Sequence, residues 1–109
     1  MEASHDELRS RANGRVGSVL RGKYTLDRVL GAGGMAVVYA ATHRNQMRVA
    51  VKMLHPELSY SADIRTRFLR EGYAANSLQH DGAVKVLDDD VAEDGAAFLV
   101  MELLGDRKS

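Results

Sequence analysis

The chain has 109 residues, 45% apolar and 28% charged, which suits one small domain with a single core. Fifteen Lys and Arg balance fifteen Asp and Glu, so a formal charge of zero gives no reason to expect nucleic acid or an acidic membrane surface as partner. Cysteine is absent, which excludes disulfides and thiolate chemistry and suits the cytoplasm; the polar, acidic N-terminus is no signal peptide, and no apolar run approaches the roughly 20 residues that span a bilayer.

Residues 1–18 mix charge, Ser, Asn and Gly without a sustained apolar period and read as a flexible tail, with Arg9, Arg11 and Arg15 as solvated charges. The folded domain is expected over 19–109. Tyr24, Leu26 and Val29-Leu30 suggest a first strand, running into Gly31-Ala32-Gly33-Gly34-Met35. Residues 36–41, β-branched and aromatic at their centre, form a second strand, so the glycines are the turn of a hairpin. His43-Arg44-Asn45-Gln46 turns the chain again, with an Asn that tolerates the left-handed region. Residues 48–54 form a third strand whose nearly continuous apolar run predicts burial on both faces and delivers one lysine, Lys52.

His55-Pro56-Glu57 breaks that strand, and Ser59 or Ser61 can cap a helix over residues 62–79. Steps of four, three, four and three place Ile64, Phe68, Glu71, Ala75 and Leu78 on one inward face. A buried carboxylate demands a cationic partner, and Lys52 is the candidate for Glu71. Residues 83–87 alternate as a fourth strand, Asp88-Asp89-Asp90 reads as a solvated loop, Asp94-Gly95 signals a turn, and residues 96–103 form a fifth strand. The expected fold is therefore α+β: a five-stranded antiparallel sheet with one helix packed on a face.

Three glycines in four positions, followed by a lysine on a neighbouring strand, read as a phosphate-binding device, because backbone N–H groups can approach an anion where no Cβ intervenes. Gly17 and Gly22-Lys23 have P-loop spacing, but Tyr24 stands where the metal-binding hydroxyl belongs. Gly31, Gly33 and Ala36 fit the dinucleotide fingerprint by letter, yet a strand follows them and residues 28–56 hold no Asp or Glu for a ribose. The third device, a glycine hairpin between antiparallel strands, is matched by Gly31, Gly33 and Val38, then by Val49-Ala50-Val51-Lys52, Glu71 and Val100-Met101-Glu102-Leu103.

On those residues, and on Arg67-Phe68-Leu69-Arg70-Glu71, the chain resembles the N-terminal lobe of a bacterial, eukaryotic-like serine/threonine protein kinase. The resemblance spans about residues 20–104. It implies that Gly31, Ala32, Gly33, Gly34, Met35 and Ala36 cover the ATP phosphates, that Lys52 holds them, and that Glu71 orients Lys52 through an ion pair. It implies an adenine roof of Leu30, Val38 and Ala50, with Met101 beside the pocket and the backbone of Glu102 and Leu104 on the adenine edge. Ala36 replaces the third glycine, and His80-Asp81-Gly82-Ala83-Val84 departs from the family's His-Pro-Asn segment.

No H-R-D or D-F-G motif occurs, so the catalytic base and the Mg2+ ligands belong to a C-terminal lobe outside this sequence. ATP is the implied ligand and a protein Ser/Thr hydroxyl the substrate of the full-length enzyme, with the 109-residue chain alone catalytically incomplete. The alternative is a non-enzymatic module that binds nucleotide or docks on a kinase.

Overall fold

The computed structural model describes residues 5–74 and 85–103. Six strands occupy Val19–Leu20 (β1), Tyr24–Ala32 (β2), Ala36–His43 (β3), Arg48–Leu54 (β4), Val86–Val91 (β5) and Ala97–Glu102 (β6). They form one antiparallel sheet in the order β1-β2-β3-β4-β6-β5. Helices occupy His5–Asn13 (α1), Pro56–Ser59 (α2) and Ala62–Ala74 (α3). No helix among the described residues is long and apolar enough to cross a membrane.

The α+β class stands, with six strands where five are expected. The additional strand, β1, pairs Val19 with Thr25 and Leu20 with Tyr24. Its three-residue connection is closed by the Lys23 N–H on Leu20 O at 2.9 Å, with Arg21 (φ 54°) and Gly22 (φ 69°) at the two central positions of that turn. Two residues carry no detectable alternation, which hides such a strand from sequence.

β4 explains the layering. Val49, Val51 and Met53 join a core with Leu26, Tyr39 and Phe98 on one face; Leu54, from the other parity, joins Phe68, Val86, Ala97 and Leu99 beneath α3. The strand is thus buried on both faces, as its unbroken apolar run requires. Ser61 is the residue that caps α3, its Oγ accepting from the Ile64 N–H at 3.3 Å. Ser59 does something else. Fully buried, it donates to His55 O at 3.2 Å and accepts from the Ala97 N–H at 3.1 Å, tying α2 to β6. Arg65 then bonds Ser59 O at 2.6 Å.

Three expectations are corrected. The tail expected over 1–18 holds a helix instead: α1 places Ala12 against the sheet at 3% exposure, and the buried Tyr39 hydroxyl donates to Ala12 O at 3.1 Å. Arg11 meets Glu57 at 3.0 Å and Arg15 meets Asp94. Those partners are remote in sequence, so local periodicity carries no sign of them. Asp88, Asp89 and Asp90 lie within β5 rather than in a loop; β5 is a sheet edge, where charged side chains are solvated and discourage further pairing. In the β3–β4 turn, Asn45 accepts from the Met47 N–H through its side chain at 2.8 Å, and Gln46 takes the positive φ of 80°. The positions 75–79 of the expected helix and residues 80–84 lie outside the described residues.

Tyr39→Phe removes the donor that fastens α1 and leaves the Ala12 carbonyl without it. It should lower unfolding free energy by about 1 kcal/mol, measured by urea denaturation, and expose α1 to proteolysis before the sheet. Unchanged stability and unchanged cleavage would show that α1 docks without this bond.

Candidate functional site

The glycine hairpin joins β2 to β3. Its turn is closed by the Gly33 N–H donating to Ala36 O at 2.9 Å, with Met35 exposed at the tip. None of Gly31, Gly33 and Gly34 has a positive φ. A Cβ added to Gly31 or Gly34 meets nothing within 4 Å, and one on Gly33 meets only the Ala36 carbonyl oxygen at 3.6 Å. Neither backbone strain nor packing therefore requires glycine here. What glycine leaves is open space beside the loop backbone where a Cβ would stand.

Beneath the loop, directly paired residues of antiparallel strands share a face. Val38, Lys52 and Leu99 form one such row, and Ala40, Ala50 and Met101 the next. Ala50 is buried, Val38 and Met101 are half-buried, and Lys52 alone between Val49 and Leu54 is exposed. Leu30 falls at a β-bulge between the paired Val29 and Gly31 and is 38% exposed. Ala32 and Ala36 flank the turn, half-buried. Glu102 ends β6, its N–H donating to Lys85 O at 3.0 Å. Leu104 lies outside the described residues.

A cavity of about 300 Å³ opens between this face and α3, lined by Lys52, Phe68, Glu71, Gly72, Val86, Leu99 and Met101. Lys52 and Glu71 thus line one space, as their pairing requires, but no ion pair joins them among the described residues. The reason lies in the helix phase: Phe68 is the residue α3 buries, whereas Glu71 is exposed at the cavity wall. A solvated carboxylate needs no partner, so the burial argument that predicts the pair does not operate in this conformation.

Sequence reasoning missed the contacts that set α3. Gly72 lies so close to β6 that a Cβ would stand 2.4 Å from Leu99 Cδ1. One residue on, the Tyr73 hydroxyl donates to Asp89 Oδ1 at 2.5 Å, linking α3 to the edge strand. That bond to the carboxylate, then partial burial and the charges of Asp89 and Asp88, push the phenol up to about 12. The Glu-Gly-Tyr sequence carries no periodic signal for either contact. A second cavity, of about 320 Å³, lies between α1 and the opposite face, lined by Arg11, Arg15, Tyr39, Met53, His55 and Pro56 among others. It contains none of the residues expected at the site, so volume does not distinguish the two cavities. No cluster of three or more His, Cys, Asp or Glu is placed to hold a metal among the described residues.

The sequence model of the family described as protein tyrosine and serine/threonine kinase matches residues 24–107. A probable serine/threonine-protein kinase PknB of Corynebacterium glutamicum is 42% identical over 88 residues, covering 77% of this chain and 14% of that protein. Serine/threonine-protein kinase PknA of Mycobacterium tuberculosis is 39% identical over 95 residues, covering 83% of this chain and 22% of that one. The chain therefore spans a minor part of these relatives' length. Among solved structures, a point mutant of the Mycobacterium tuberculosis PknI kinase domain superposes with a TM-score of 0.63 at 30% identity, covering 83% of this chain and 36% of the other.

Two outcomes follow from the α3 contacts. Helix propensity alone favours Gly72→Ala by about 1 kcal/mol. Displacing the buried Leu99 costs about 1–3 kcal/mol. Denaturant unfolding should show no gain, and a net loss of up to about 2 kcal/mol; a gain of the full propensity value would mean that Leu99 turns aside freely. For Tyr73, the folded pKa lies above the ordinary 10.0 at about 12, so the bond stabilises fully below pH 10 and is lost as pH rises through 12. Asp89→Ala should return the phenol towards its ordinary range in a spectrophotometric titration.

Proposed function

The chain belongs to the protein kinase family, its relatives being bacterial serine/threonine kinases, and we propose that residues 19–109 form the ATP-binding part of such an enzyme. One observation carries the reading. Glycines that neither φ nor packing demands stand over the single exposed cation of an otherwise buried strand segment. Open space beside the loop backbone and a lysine on the adjoining face are what a polyphosphate needs.

In this proposal the amides of Gly31, Ala32, Gly33, Gly34, Met35 and Ala36 bound the phosphate space, and Lys52 neutralises and orients the α- and β-phosphates. Val38 and Ala50 supply the apolar ceiling over adenine, Leu30 at the bulge closes its edge, and Met101 stands beside it. The Glu102 backbone faces the adenine edge, and Leu104, next along the chain after Leu103, is assigned the same role by its place in the sequence. Glu71 acts through Lys52: turned into the shared cavity, it would hold the ammonium at the phosphates. ATP supplies the γ-phosphoryl group, which the full-length enzyme delivers to a protein Ser or Thr hydroxyl. Mg2+ and the proton-accepting base come from sequence that this chain does not contain, so the part of the reaction assigned here is binding and orientation.

Titration with a fluorescent ATP analogue tests the reading. Charge-assisted bonds to phosphate contribute about 1.5–3 kcal/mol, so Lys52→Met should weaken binding roughly 10- to 100-fold with the circular dichroism unchanged. Glu71→Gln removes only a solvent-screened partner of Lys52, because both side chains are exposed, and should cost less, about threefold or under. Absence of saturable binding by the wild-type chain, or equal affinity of the Lys52 variant, would overturn the proposal.

A further inference from the structure

We propose that His55, outside the residues that face nucleotide, is a positioning residue for the glycine loop; the inference rests on the nucleotide-binding reading above and deepens it. His55 follows β4, three residues beyond Lys52, so loop and lysine are fastened to the same strand end. Its N–H donates to Met35 O at 3.0 Å, and its ring Nε2 lies 2.9 Å from Gly33 O. A carbonyl oxygen can only accept, so Nε2 carries the hydrogen and donates, as it does in the Nε2–H tautomer and in the imidazolium alike. Among the described residues no other side chain hydrogen-bonds to residues 31–36.

The direction of these bonds gives them their effect. The His55 ring lines the cavity between α1 and the sheet, on the face opposite Lys52's cavity. Gly33 O is drawn towards that ring. A trans peptide sets its N–H antiparallel to its C=O, so fixing Gly33 O there aims the Gly34 N–H the other way, towards the face that carries Lys52. The ring thereby orients an amide it does not touch. Pro56 supports the arrangement, because the residue before a proline is confined to extended backbone, and His55 sits there at φ −57°, ψ 142°. The ring is therefore presented from a restricted backbone to a loop that packing leaves unconstrained.

The test uses two variants of the full 109-residue chain. Gln carries an N–H near the place of Nε2, whereas Asn reaches only as far as Nδ1. Amide exchange without nucleotide is read at Gly33, bonded to Ala36 O, and at residue 55, bonded to Met35 O. Affinity is read with the fluorescent ATP analogue. His55→Asn should accelerate exchange at both amides and weaken binding about three- to tenfold, the loss expected for one hydrogen bond. His55→Gln should stay within about twofold of wild type on both. Equal losses in Gln and Asn, or unchanged exchange in Asn, would overturn the proposal, as would faster exchange with unchanged affinity. If the wild-type chain binds no analogue, the nucleotide reading fails, and exchange alone decides whether the bond holds the loop: accelerated in Asn and restored in Gln supports it, unchanged in Asn overturns it.

Discussion

The structure depends on the parity of one strand. β4 is central, pairs on both sides, and must send alternate side chains into two separate cores. A register slip of one residue would exchange those sets, driving Lys52 towards Phe98 and Tyr39 and placing Met53 in the cleft. An unpaired ammonium in such a core costs far more than the slip could return. The apolar residues that hold β4 in place thus also fix which face is cationic. Position of the lysine and stability of the sheet are one constraint.

The same parity explains why much of the site is legible in sequence. The glycine hairpin, the apolar run ending in Lys52 and the facing residues Val38, Ala50 and Met101 depend on period-two alternation and on adjacent strands, which a sequence displays directly. Ile64 and Phe68 follow from helical spacing in the same way. Glu71 shows the limit of that method. Spacing identifies the side of a helix, not how far the helix stands from the sheet, and an open cavity removes the penalty from which the ion pair is argued.

Other features escape for a different reason. α1 is polar, and what anchors it and the turn that follows it (a buried hydroxyl and two ion pairs) lies on β3, α2 and the β5–β6 turn. Such contacts connect residues tens of positions apart and impose no pattern on either partner. The acidic run of β5 conflicts with strand propensity, yet an edge strand offers one side of its backbone to water and accepts it. His55 reads as a residue that merely precedes a strand-breaking proline. Only the spatial meeting of strand end and hairpin tip reveals its second role.

α3 is tethered at its start and in its last described turn, with Phe68 buried between them. Ser61 and Arg65 fasten its start, Tyr73 fastens the last described turn to Asp89, and at Gly72 a bare backbone rests on the Leu99 methyl groups. Sliding along its axis would strain both tethers, and tilting would open the Phe68 contact. Glu71 immediately precedes that bearing point, so the approach of the Gly72 backbone to Leu99, rather than any contact of its own side chain, sets where its carboxylate stands in the cavity that Lys52 also lines.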